Sequence, residues 1–183
     1  MKGSAENAVS PYIRIALPDD ASRIYAVISQ AVILYCLNSG IDKTQLSAGV
    51  EGPSDIENLV RNSAFFVYEK KGDIRGTIRL TFSCASDLLL EKERVSLGLP
   101  GQLPVCYISR FYVHPTHQAK GIGRDLLQFA LAETRKKEIP YMFLHTALTN
   151  KRLVSFYNRY YFSLISEAEE SSYPRGLFAK KIN

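Results

Sequence analysis

Val113-His114-Pro115-Thr116-His117-Gln118-Ala119-Lys120-Gly121-Ile122-Gly123-Arg124 is the stretch on which the reading of this chain turns. Before it, Val105 to Val113 is rich in β-branched and aromatic residues and reads as a strand. After it, Ile122, Leu126, Leu127, Ala130 and Leu131 recur at helical spacing and predict a helix from about Ile122 to Glu138. A strand, a short loop and a helix are thus joined with glycines at the helix mouth. Glycine has no Cβ to hold a ligand away from the backbone. The N–H groups of a first helical turn lack internal partners and, with the helix dipole, suit a phosphate. The pattern is neither GxxxxGK[ST] nor the full GxGxxG, because Leu126 stands where the third glycine would be. By itself it fits an ordinary glycine turn into a helix as well.

Outward from this point the pattern alternates between strand and helix periods. Tyr12 to Leu17 reads as a short strand, and Pro18-Asp19-Asp20 starts a helix carrying Ile24, Val27, Ile28, Ala31, Val32 and Tyr35 on one stripe. Asn38-Ser39-Gly40 ends it. A shorter helix is expected over Ser54 to Asn62, capped by Ser54 or Asp55. Ala64 to Lys70 and Ile74 to Phe82 form a hairpin about Lys71-Gly72-Asp73. In its second strand Ile74, Gly76, Ile78, Leu80 and Phe82 are expected on one face. Cys84 to Leu103 reads as a long connection with a helical turn. Downstream, Tyr141 to Thr146 is a strand, Asn150 to Tyr160 a helix, and Phe162 to Glu167 and Gly176 to Ile182 are strands. The order β-α-α-β-β-β-α-β-α-β-β predicts an α+β fold, a mixed sheet flanked by helices. Residues 1–183 are expected to form one domain, with 1–10 a flexible tail.

Composition sets outer limits. The chain has 183 residues, 46% of them hydrophobic, enough for a sizeable core. A net charge of +5 suits an anionic ligand such as a nucleotide cofactor, and nucleic acid more weakly. No recognition helix or RNP-like aromatic pattern backs a nucleic-acid role. Cys36, Cys84 and Cys106 show no metal or disulfide spacing and read as small apolar residues in a reducing compartment. With the longest apolar run, Ala31 to Leu37, too short for a bilayer, the expectation is a cytoplasmic protein that engages no membrane and no metal.

The central stretch resembles the GNAT superfamily of N-acetyltransferases. That family carries Q/R-x-x-G-x-G/A after a V-x-P-like strand end, here Val113-His114-Pro115 and then Gln118 to Gly123. It often shows an Asn, then F/L-Y seven residues later, then a Phe opening a strand, here Asn150, Phe156-Tyr157 and Phe162. The likeness spans about Tyr12 to Ile182 and implies a GNAT-like central, mostly antiparallel sheet. It further implies transfer of an acetyl group from acetyl-CoA directly to a primary amine of a small molecule or peptide. On the resemblance, Phe111, Tyr112 and Val113 would line the pantetheine arm, and Gln118, Ala119, Lys120, Gly121, Ile122, Gly123 and Arg124 would hold the pyrophosphate. Asn150 would contact the cofactor, although helix capping alone is the commoner use of Asn there. Tyr157 would also contact it and protonate the departing thiolate, although it equally fits a core stripe with Leu153, Phe156 and Tyr160.

The base is the weak link in this resemblance. Where some members place a Glu early in the strand before the loop, this chain has Tyr107. Where others place a Glu on the next strand, it has His145, which is either the base or a hydrogen-bonded strand residue. Tyr107, Ser109, Arg79 and His145 are candidate acceptor-pocket residues. Tyr161 replaces the family's usual glycine before Phe162 and is expected to alter that turn. The Cys84–Leu103 connection is expected to border the acceptor site or an interface, with a homodimer one option. A non-catalytic acyl-CoA sensor on the same fold is the alternative function.

Overall fold

The computed structural model describes residues 10–168 and 172–182. Of the tail 1–10, only Ser10 lies among the described residues. The strands are β1 (Ile13–Ile15), β2 (Ala64–Lys70), β3 (Asp73–Cys84), β4 (Pro104–Val113), β5 (Tyr141–Ala147), β6 (Ser163–Glu167) and β7 (Arg175–Lys181). The helices are α1 (Ala21–Ser39), α2 (Ser47–Val50), α3 (Pro53–Arg61), α4 (Ala85–Leu88), α5 (Glu91–Ser96), α6 (Ile122–Lys136) and α7 (Lys151–Arg159). One seven-stranded sheet runs β1-β2-β3-β4-β5-β7-β6. Among the described residues only β4 and β5 pair in parallel, so the sheet is mixed, as the element order predicts, and mostly antiparallel, as the resemblance implies.

Alternation along the strands sorts side chains into two faces. On one face Ile78, Leu80, Cys106, Ile108, Met142 and Leu144 pack under α6 and α7, with Leu126, Leu127, Ala130 and Tyr157. The α6 stripe read from the sequence is the stripe that is buried. On the opposite face α1 and α3 cover Phe65 and Val67 with Ile24, Ile28, Val32 and Ile56. The Cys84–Leu103 connection continues that layer, laying Ala85, Leu89 and Leu99 over Val105, Phe143 and Leu177. Residues 18–39 form a segment long and apolar enough to cross a bilayer, and its Ile24, Val27, Ile28, Ala31 and Val32 are packed in this core.

Several expectations change. Ile74 does not share the face of Ile78 and Leu80 but packs with α1 and α3. The cause is a bulge: Tyr68 pairs with Gly76 and Glu69 with Ile74, so Arg75 is extra and the side-chain phase flips. Helix α3 is capped by Gly52 rather than Ser54 or Asp55, with the Asp55 carboxylate accepting the Gly52 N–H from inside the first turn. The long connection holds two short helices, α4 and α5, and α2 was not foreseen. Gly76 lets α6 lie close, because a Cβ there would stand 2.9 Å from Leu126 Cδ1 and 3.0 Å from Ile122 Cγ2.

Candidate active site

Parallel pairing of β4 with β5 holds only at Cys106–Met142 and Tyr107–Phe143. Beyond those pairs the strands part. A second bulge helps them: β3 residues Thr77 and Arg79 face Tyr112 and Ser109, leaving an extra residue on β4. Arg110 there has φ +47°, a left-handed conformation costly for a residue with a Cβ. The Thr77 hydroxyl holds it by donating to the Arg110 carbonyl at 2.7 Å. The Arg110 guanidinium in turn grips Glu51, with Nε–Oε2 at 2.9 Å, and tethers the segment after α2. No periodicity in the sequence announces this bulge.

The opened gap is a cleft of about 860 Å3. Its walls include residues 107–113 of β4 and Leu144, His145 and Thr146 of β5. The β4 edge that β5 abandons offers unpaired backbone groups to an extended ligand. Thr146 Oγ1 is buried without a partner and lies on this wall.

One end of the cleft is formed by the loop that leads into α6. Pro115–His117 makes a 3-10 turn, and Gln118 Nε2 donates back to the Val113 carbonyl at 3.2 Å. Ala119 and Gly121 are left-handed, at φ +59° and +87°, which aims the chain into α6. Gln118, Ala119, Gly121, Gly123 and Arg124 line the cleft. Lys120 and Ile122 do not line it: Lys120 Nζ donates to the Thr116 carbonyl, and Ile122 packs in the core. Their share in any phosphate site is their backbone. Arg152 and Arg159 of α7 also line the cleft. They stand two turns apart and so share a helix face, a spacing that could have flagged them in the sequence. His117, the last residue of that 3-10 turn, also lines the cleft.

At the middle sits Tyr157, 6% exposed and ringed by Phe111, Phe156, Phe162 and Phe178. Burial raises its phenol far above the ordinary value, so it keeps its proton. Tyr157 is therefore both core and cleft. Asn150 is likewise double: its Oδ1 caps α7 through the Leu153 N–H at 3.2 Å, and its Nδ2 reaches Ser39 Oγ on α1. It also lines the cleft. Tyr161 takes the left-handed conformation itself, φ +62°, with its ring in solvent and outside the cleft lining.

At the far end stand Tyr35, Gln45 and Ser47, with Tyr107, Ser109, Arg110, His145, Tyr173 and Arg175. Three of the four expected pocket residues are here. Arg79 is the exception: it lies on β3, one strand removed, donating to Ser63 Oγ at 2.9 Å and Ser109 Oγ at 3.4 Å. His145 Nδ1 lies 2.7 Å from Tyr107 Oη. Burial first and Arg175 second push His145 down to about 4, so at neutral pH it is a neutral imidazole. Alternation places Tyr107 and His145 on the face opposite Tyr157, so the gap is approached from both sides. Among the described residues, no group of His, Cys, Asp or Glu is placed to hold a metal ion.

Among curated proteins no sequence matches this chain. Solved structures match its fold closely at low identity. One is yncA from Salmonella typhimurium, solved with its cofactor acetyl-CoA: 17% identical, TM-score 0.66, covering 93% of each chain. Another is the ribosomal-protein-S18-alanine N-acetyltransferase of Escherichia coli: 13% identical, TM-score 0.65, covering 93% of each chain. A third is the paia N-acetyltransferase of Thermoplasma acidophilum in complex with coenzyme A: 18% identical, TM-score 0.61, covering 92% of this chain and 97% of that one. The model of the acetyltransferase (GNAT) family matches residues 44–162. That span takes in the loop into α6, the parted strands and the whole of α7, and on it this chain belongs to the acetyltransferase (GNAT) family.

Proposed function

We propose that this protein transfers the acetyl group of acetyl-CoA directly to a primary amine. The observation that carries this reading is the parted β4–β5 gap, lined by the glycine loop into α6 and by the protonated Tyr157 phenol. Acetyl-CoA would lay its pyrophosphate on the N–H groups from Gln118 to Arg124, with Arg124, Arg152 and Arg159 around it. Its pantetheine arm would pair with β4 along Phe111 to Val113 as an added strand. A free N–H near the bulge would face the thioester oxygen as charge builds there. Tyr157 would give its proton to the leaving sulfur, and His145 would take up the proton that the amine loses.

Direct transfer is favoured over an acetyl-cysteine intermediate. Cys106, the cysteine nearest in sequence to the cleft wall, is buried in the core, and desolvation raises its thiol to about 11. A thiol held protonated is a poor nucleophile. The rival reading, a non-catalytic acyl-CoA sensor, draws on Tyr107 standing where a carboxylate base is expected.

Replacing Tyr157 by Phe tests the acid. Turnover should fall about 100-fold or more while acetyl-CoA affinity by calorimetry stays unchanged. Unchanged turnover would remove Tyr157 from the chemistry.

A further inference from the structure

No Asp or Glu lines the cleft among the described residues. A carboxylate nevertheless stands directly behind it. Glu93, on α5 of the long connection, is 3% exposed, and its Oε1 lies 3.6 Å from His145 Nε2. Its Oε2 accepts the Leu90 N–H at 2.9 Å, and Ser166 Oγ donates to Oε1 at 3.3 Å. Both contacts fix the carboxylate in place. A glutamate needed only to cap α5 could do so in solvent, since capping boxes are commonly exposed. This one is driven under the sheet against an imidazole.

We propose that Glu93, His145 and Tyr107 form a proton relay, with Tyr107 the group that touches the amine and Glu93 a positioning residue. This rests on the acetyl-transfer reading above. A carboxylate only accepts hydrogen bonds, so Glu93 favours the imidazole tautomer with its proton on Nε2. At 3.6 Å the contact is electrostatic rather than a hydrogen bond. Nδ1 is then left with its lone pair toward Tyr107 Oη, 2.7 Å away, and accepts the phenol proton. That oxygen also accepts a hydrogen bond from Arg175, and its remaining acceptor direction serves the cleft that Tyr107 lines. Arg175 on β7 is the cation facing both Tyr107 and His145, with Tyr173 beside it.

The sequence of bonds is then as follows. The amine nitrogen bonds to the acetyl carbon, and the carbonyl π pair moves to oxygen. The nitrogen, now cationic, passes a proton to Tyr107 Oη as the Tyr107 proton moves to His145 Nδ1. The carbonyl re-forms, the C–S bond breaks, and Tyr157 protonates the sulfur. His145 gives its proton to solvent and Tyr157 regains one. An amine and acetyl-CoA become an amide and CoA, with protons balanced. The transient imidazolium is the species that Glu93 stabilises.

The test uses the full chain with 15N-labelled histidine. NMR at neutral pH should find His145 protonated on Nε2. In parallel, kcat is measured with spermidine, kanamycin, L-methionine and an alanine-initiated peptide as acceptors. On whichever is acetylated, Tyr107→Phe should lower kcat at least about 10-fold with the KM for acetyl-CoA unchanged. Glu93→Gln should do likewise, and the double variant should lose no more than either single change. If Glu93→Gln does not fold, the tautomer and the Tyr107→Phe kinetics still decide. Wild-type protein inert toward all four acceptors overturns the transfer reading and the relay's task with it. His145 protonated on Nδ1, or Tyr107→Phe at full kcat, overturns the relay alone.

Discussion

Tyr161 stands at φ +62° and is 81% exposed, in a turn where glycine would rest without strain. Its compensation is modest: Lys180 Nζ lies 5.0 Å from the ring centroid. Exposed cation–π contacts are worth about 0.5–1 kcal/mol, against a left-handed cost of about 1–2 kcal/mol. Tyr161→Gly should therefore leave the cleft intact and hold or raise stability, by up to about 1 kcal/mol in urea unfolding. A clear loss would mean that the ring packs against something that matters. His145 carries a second prediction. Its value is about 4 when folded and 6.5 when free. Above 6.5 both states are neutral and pH has no grip on the difference. Between 6.5 and 4 the unfolded chain binds a proton that the folded chain refuses, so stability falls as pH drops through that window. The loss approaches about 3 kcal/mol. Asp20 acts lower, since desolvation of its carboxyl is outweighed by bonds from Arg14, Leu17 and Arg23, and its stability is lost below 3.8. His145→Gln should flatten the 6.5-to-4 segment of the unfolding curve and leave the Asp20 segment in place.

At the scale of elements, the proposed function leans most on the loop into α6. Gly121 at φ +87° has no low-strain substitute with a side chain. Gly121→Ala should fold, but misaim the first N–H groups of α6 and weaken acetyl-CoA binding about 10-fold in calorimetry, equivalent to about 1.4 kcal/mol. Unchanged affinity would place the pyrophosphate elsewhere. This loop was readable because glycine chemistry is local, and α6 because five apolar residues share one stripe. Tyr157 and Asn150 were readable from their spacing, although their double service as core or cap and cleft needed coordinates. The bulges at Arg75 and Arg110 were not readable, because both faces of the sheet are covered and an apolar residue fits either side of the phase flip. Arg79 was misplaced for the related reason that a strand pattern gives a face but not a neighbour. Glu93 lay hidden because its partner is 52 positions away in a connection with little periodicity.

Across the whole molecule, a buried ion network ties the sheet edge to the first helix. Asp20, 4% exposed, pairs with Arg14 of β1 and Arg23 of α1, while Glu69 of β2 bonds both arginines. Removing one partner leaves charge uncompensated. Because Arg14 and Arg23 are partly exposed, Asp20→Asn should cost about 2 kcal/mol rather than the full buried-pair penalty. The change would show in thermal unfolding with acetyl-CoA affinity unaltered. The same architecture keeps the two ends of the cleft on separate layers, with α6 and α7 behind the cofactor end and α1, α2 and α5 behind the acceptor end. The most direct measurement is CoA thiol release from acetyl-CoA by the full chain across a panel of primary amines. Amine-dependent release at a rate well above hydrolysis, with the acetylated amine seen by mass spectrometry, is the predicted result. Tight binding of acetyl-CoA with no release for any amine would contradict it and leave a binding protein on an enzyme's fold.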